Sequence, residues 1–277
     1  MWVGLALALL ILGVSPLAAG TLLVITVLRA AVVGVVAPWM AVVVIISFVL
    51  AAVSSRRYPQ FTRGLVLELL LVALAVALTV HLVPGFTNLK VLNGVHVGPH
   101  SLPFSMYYNF DKALVPFVLL LALPGLFVHK AGRTRPFWHW GLLAAAIPGL
   151  LLLAVALGGL RFEPHLPAWL GKFALANLFF VCLAEEALFR GYLQRRLMHF
   201  LSPGQALAAS AVIFGLLHCA GGPLLVIFAG LAGVIYGLAW LWSGRLWVAV
   251  LFHFALNCVH LLLFTYPALQ HSASAGF

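Results

Sequence analysis

Between Trp2 and Val53 the chain carries a single charged side chain, Arg29. A run of that length is suited to a bilayer, where each helical crossing takes about 20 predominantly apolar residues. The pattern persists to the C-terminus. Of 277 residues, 65% are hydrophobic and 7% are charged, with a mean hydropathy of +1.17. Soluble domains carry about 25% charged residues, so the chain reads as an integral membrane protein. Long apolar segments suit helices better than the alternating strands of a barrel. The expected fold is therefore all-α, a polytopic transmembrane helical bundle of about eight to nine spans.

The spans are expected near 3–27, 32–53, 64–83, 113–128, 139–159, from Phe173 to beyond Arg190, 205–219, 224–242 and 246–265. Residues 84–111, rich in Gly, Pro, Asn and aromatics, read as a polar loop whose histidines are solvated. Glu68 has Arg63 about one turn away as its expected partner. With a cytoplasmic N-terminus, ten basic residues fall inside: Arg56, Arg57, Arg63, Lys130, Arg133, Arg135, Arg190, Arg195, Arg196 and Arg245. Arg29, Lys90, Lys112, Arg161 and Lys172 fall outside. The excess of Lys and Arg on cytoplasmic loops favours that orientation. It also accounts for the net charge of +10 without nucleic acid as a partner. Ser15–Gly20 resembles a cleavage site, but no basic residue precedes it, so a retained first span is expected. Cys182, Cys219 and Cys258 are odd in number and set in apolar sequence, which argues against a disulfide framework.

Two of the five acidic residues are adjacent, at Glu185 and Glu186, inside apolar sequence. A carboxylate at membrane depth is costly and marks a functional site by default. Glu186 and Arg190 are four apart and share a helix face. Glu185 points about 100° away, free for other work. Two later patterns have the same spacing: Phe214 with His218, and His253 with Asn257. At about 1.5 Å per residue, these groups reach overlapping depths, so one shared site is possible. The chemistry that fits is hydrolysis. A Glu near a His can deprotonate a water, while a second His and an amide can stabilise the oxyanion that forms on an attacked carbonyl. Glu185, His218 and His253 are also possible ligands for a metal such as zinc.

Glu185-Glu186-x-x-x-Arg190, Phe214-x-x-x-His218 and His253-x-x-x-Asn257, in that order, resemble the three motifs of the CAAX-protease and bacteriocin-processing (CPBP, or Abi) intramembrane proteases. The resemblance covers roughly residues 173–260. It implies a glutamic-type intramembrane endopeptidase with a site opening towards the cytoplasm and no required cofactor. Glu185 and His218 would activate water, and His253 and Asn257 would line the oxyanion hole. Glu186 and Arg190 would brace the site, with Phe214 packed beside His218. The implied partner is a membrane-anchored protein or peptide cut near its C-terminus or anchor, and the composition suggests a bacterial cytoplasmic membrane. On this reading residues 111–277 form the protease core, and residues 1–110 supply N-terminal helices and a polar loop. Two other functions are a proton-coupled transporter, for which no internal repeat is seen, and a non-catalytic immunity or scaffold protein.

Overall fold

The computed structural model describes residues 1–57, 64–130 and 135–270. The chain is mostly helical. It opens with α1 (Trp2–Ile11), α2 (Pro16–Val32), α3 (Pro38–Arg57) and α4 (Leu65–Thr79). A hairpin of β1 (Leu89–Val95) and β2 (Phe104–Tyr108) follows, then the short α5 (Phe110–Ala113) and α6 (Val115–Ala122). Next come α7 (Phe137–Ala156) and a long helical segment, α8, over residues 170–197. The chain ends with α9 (Pro203–Leu216), α10 (Gly222–Ser243) and α11 (Leu246–Leu263).

Three helices among the described residues are long and apolar enough to cross a membrane: Phe137–Ala156, Cys219–Ser243 and Leu246–Leu263. Several others are apolar but shorter. With their exposed Leu, Val, Ile and Phe side chains, these helices make an integral membrane protein. The span expected at 3–27 is instead two helices. Gly13 and the Ser15-Pro16 step break it, because Pro starts a helix readily but cannot continue one. α1 folds back on α2, with Gly4 close to Thr26 and Gly13 against Phe127. The expected 113–128 span is likewise short, since the chain leaves the helix ahead of Pro124-Gly125.

The loop expected at 84–111 contains, among the described residues, the one strand pair in an otherwise helical fold. β1 and β2 pair antiparallel, with Leu89 opposite Tyr108 and Val95 opposite Phe104, through two irregularities in register. Of the histidines expected to be solvated in or near this loop (His81, His96 and His100), His81 is part-exposed and also holds Asp111 at 2.7 Å. Glu163 clasps the hairpin loop, accepting from the His100 N–H at 2.9 Å and the Ser101 hydroxyl at 2.7 Å. Burial alone would raise the Glu163 pKa. Those two hydrogen bonds outweigh it, and the net direction is down.

The two faces of the bundle are fixed by contacts at the helix ends. On one, Arg196 reaches Glu68 at 2.6 Å, Arg195 donates to the Gly125 carbonyl, and Val128 bridges Arg245. Tyr192 also donates to Glu68; Arg63, the expected partner of Glu68, lies outside the described residues, as does Arg133. On the other face, Val36 bridges Phe86, Ser101 bridges Leu269, and Phe162 bridges Phe264. One core cluster runs between these faces, from Leu5 to Leu261.

α9 starts at a capping box, with Ser202 and Gln205 bonding each other's backbone N–H, which satisfies orphan donors of its first turn. α9 and α10 then pack through small residues, which let helix backbones approach closely in lipid. A Cβ on Gly215 would lie 2.5 Å from the Val226 carbonyl oxygen and 3.1 Å from the Gly230 Cα. Gly204, at the start of the same helix, faces open space. Gly215→Ala is therefore expected to cost about 1–3 kcal/mol by overpacking, while Gly204→Ala leaves stability unchanged or better. Thermal unfolding of the two variants in detergent checks this contrast.

Candidate active site

The helical segment that carries the acidic pair departs from regular α-geometry on either side of it. Residues Ala176–Cys182 and Ala187–Gln194 are π-helical, and Leu183–Glu186 between them is α-helical. Such widened turns recur at functional sites. Here they set the directions in which Asn177, Cys182, Glu185, Glu186 and Arg190 project from a single helix. Nothing in the residue spacing announced them.

Glu186 and Arg190 are both fully buried. The Arg190 Nη1 donates to Glu186 Oε1 at 3.0 Å and its Nη2 donates to the Gly233 carbonyl at 2.8 Å. The guanidinium also lies 4.7 Å from the Phe214 ring centre and 5.3 Å from that of Tyr236, where the ring faces attract a cation. Gly233 is needed at this point, because a Cβ there would approach Arg190 Nη2 to 3.0 Å and the Ala211 Cα to 3.2 Å.

Glu186 Oε1 also accepts from His253 Nδ1, at 2.9 Å. Since a carboxylate can only accept, this bond places a hydrogen on Nδ1 and leaves Nε2 as the outward nitrogen. That Nε2 lies 4.0 Å from Glu185 Oε2. Tyr236 stacks on the His253 ring at 4.5 Å between centres and 13° between planes. One turn along α11, Asn257 Nδ2 donates to Asn177 Oδ1 at 3.1 Å and lies 3.6 Å from Cys182 Sγ. The thiol donates to the same Asn177 oxygen at 3.2 Å. Asn177 therefore orients the amide, and the sequence reading had not singled it out.

Glu185 is not free. Lys112 Nζ donates to its Oε1 at 2.7 Å, and the two side chains are 12% and 14% exposed. Lys112 is held in turn by the start of α5. Asp111 accepts from His81 and Asn88, and Asn88 accepts from the Phe110 backbone. The polar stretch before α5 thus carries a cation to the acidic pair across 73 residues of sequence. A lone Lys beside an apolar helix was the available signal, because a cation at membrane depth demands a partner.

His218 lies just beyond the end of α9. Its Nδ1 bonds the Phe214 carbonyl at 2.8 Å, so Nδ1 carries the hydrogen and Nε2 remains an acceptor. The Phe214 and His218 rings are 4.8 Å apart.

Glu185, His218, His253 and Asn257 all line one cavity of about 780 Å³, a volume in the range of small-molecule pockets. Phe214 and Tyr236 also line it; Glu186 and Arg190 lie behind the wall. Residues of β2, the end of α7, the start of α10 and residues 266–268 line it as well. Of the atoms that could bind a metal, Glu185 Oε1 faces an ammonium and His253 Nδ1 is committed to Glu186.

Residues 167–259 match the family model described as type II CAAX prenyl endopeptidase Rce1-like. No curated protein and no solved structure matches the chain. The matched segment contains the π-helical stretches, the acidic pair, His218, His253 and Asn257, and leaves out Lys112.

Removing one partner of a buried ion pair strands the other charge. Arg190→Ala is accordingly expected to cost about 3–5 kcal/mol, where Lys112→Met, at the cavity wall, leaves a carboxylate that water can reach and costs less. Denaturant or thermal unfolding of the purified variants measures the difference.

Proposed function

From a chain whose residues 167–259 belong to the Rce1-like CAAX-protease family, we propose an intramembrane endopeptidase of glutamic type. It hydrolyses a peptide bond near the C-terminus or membrane anchor of a membrane-associated protein or peptide, with residues 111–277 as its core. The observation that carries this reading is the convergence of Glu185, His218, His253 and Asn257 on one cavity inside an apolar bundle. A bacterial cytoplasmic membrane remains the proposed setting.

The chemistry follows from the hydrogen-bond assignments. His218 Nε2 and the Glu185 carboxylate are both acceptors facing the cavity, so a water between them can donate one hydrogen to each. Lys112 holds Oε1 of Glu185, which leaves Oε2 for the water. The water oxygen attacks the scissile carbonyl as its proton passes to Glu185 or His218. The negative charge that develops on the carbonyl oxygen meets the Asn257 amide, fixed in direction by Asn177. His253 contributes a second N–H when both of its ring nitrogens carry hydrogen. Donors already aimed at that position need no reorganisation during the reaction. Collapse breaks the C–N bond, the stored proton goes to the leaving amine, and a carboxylic acid and an amine depart. Arg190 and Glu186 touch no substrate; they hold His253 and the helices that carry the others.

The test is cleavage of a panel of membrane-anchored reporters by purified protein in detergent or liposomes. Glu185→Gln and His218→Ala are each expected to lower the rate by about 10²–10⁴-fold, the usual yield of a positioned acid or base, in protein that still folds. Full activity in Glu185→Gln would falsify the assignment. Activity lost only on adding a chelator would make the same residues metal ligands.

A further inference from the structure

The groups assigned to hydrolysis are not the only polar side chains in the cavity. On α11, His253, Asn257 and His260 stand at i, i+4 and i+7, which sets them along one helix face, and all three line the cavity. The first two have their roles and their partners, His253 with Glu186 and Asn257 with Asn177. His260 takes no part in the hydrolysis derived above. It also lies just outside the matched segment, which stops at residue 259.

One nitrogen of its ring is fixed. His260 Nε2 lies 3.1 Å from the Thr265 carbonyl oxygen. A carbonyl only accepts, so Nε2 carries the hydrogen and Nδ1 keeps its lone pair. Thr265 is fully buried and is itself held twice by Arg161: its N–H donates to the Arg161 carbonyl at 2.9 Å, and its hydroxyl accepts from the Arg161 N–H at 3.0 Å. The Tyr266 ring packs against the imidazole at 4.9 Å between centres, in an edge arrangement. Nδ1 has no hydrogen-bond partner among the described residues. A ring that merely tied α11 to the turn at Thr265 would need Nε2 and nothing else.

An extended segment drawn into this cavity brings its main-chain N–H groups past walls that include Leu150, Leu151, Leu224 and Phe228. An N–H taken out of water needs an acceptor. Glu185 and His218 are engaged with the attacking water, and Asn177 Oδ1 already accepts from Asn257 and Cys182. We propose that His260 is a substrate-positioning residue whose Nδ1 accepts from a main-chain N–H of the bound segment, within two residues of the scissile bond. The reach follows from helix and strand geometry. Asn257 and His260 are about 4.5 Å apart along the axis of α11, and an extended chain advances about 3.3 Å per residue. The assignment rests on the protease reading for the identity of the segment. It adds a requirement to that reading: a donor N–H at one defined place, which proline lacks. Thr265 and Arg161 touch no substrate and serve to hold the ring.

The probe is a terminally blocked apolar hexapeptide with a hydroxyethylene group in place of its central peptide bond, which the protein cannot cleave. A companion series replaces each remaining main-chain N–H in turn by an ester oxygen. Binding to the purified full chain in detergent is measured by calorimetry. With wild-type protein, one ester within two residues of the hydroxyethylene group is expected to bind about tenfold more weakly than the parent, the effect of one lost hydrogen bond. His260→Phe and His260→Asn separate that bond from the tie to Thr265. Both lose the tie, since Asn is too short to reach the Thr265 carbonyl, but only Asn places an acceptor on Cγ where Nδ1 stood. The single-position loss is expected to vanish in His260→Phe and to persist in His260→Asn. The proposal is overturned by the same ester profile in wild type and His260→Phe, by a loss that vanishes in both variants alike, or by a parent peptide that wild-type protein does not bind. Because binding is read without turnover, the expected pattern supports the His260 assignment even if no reporter is cut, and the two readings fail separately.

Discussion

A guanidinium with no access to water sits at the centre of this bundle, and the arrangement around it follows from that cost. Burying an unpaired charge is prohibitive unless partners surround it. Arg190 on α8 is met by Glu186 one turn away, by the Gly233 carbonyl of α10, and by the rings of Phe214 on α9 and Tyr236 on α10. Glu186 then passes the constraint to α11 through His253. Four helices are thereby held in one register by groups that stand behind the cavity wall. Their neighbours on the cavity side, Glu185, His218, Asn257 and the outward nitrogen of His253, inherit fixed positions. Positioning of that kind is where catalytic rate is gained or lost, since displacements near 1 Å are expensive.

The same division separates what was legible in the sequence from what was not. The acidic pair, Arg190, Phe214, His218, His253 and Asn257 stood out because charge and amide groups are rare in so apolar a chain, and because spacing of four puts two residues on one helix face. That argument has no access to contacts between distant segments. Lys112 reaches Glu185 only because Asp111, His81 and Asn88 fix the start of α5. Asn177 reaches Asn257 only because the helix is widened between residues 176 and 182. Glu185 was therefore expected to be free, and it is paired.

The fold was readable to a similar depth. Hydropathy separates membrane from water well, but it does not mark where a helix stops within apolar sequence. The 3–27 segment reads as one span and is two helices, because Gly13 and Pro16 act on the backbone while leaving the average hydropathy high. The β-hairpin was hidden for the opposite reason. Its strands are short, polar in part and irregular in register, so neither period two nor period 3.6 is sustained. Yet this hairpin lines the cavity, and with the Asp111 cluster it links the N-terminal part of the chain to the acidic pair.

The central claim is that Arg190 and Glu186 form one buried unit whose members are each harmful alone. Its most direct measurement is the coupling energy from a double-variant cycle, with unfolding free energies for Arg190→Met, Glu186→Leu and the two together. The account predicts that the double variant is more stable than either single one, because an apolar pair leaves no stranded charge. Losses that simply add, with the double variant the least stable of the three, would contradict it.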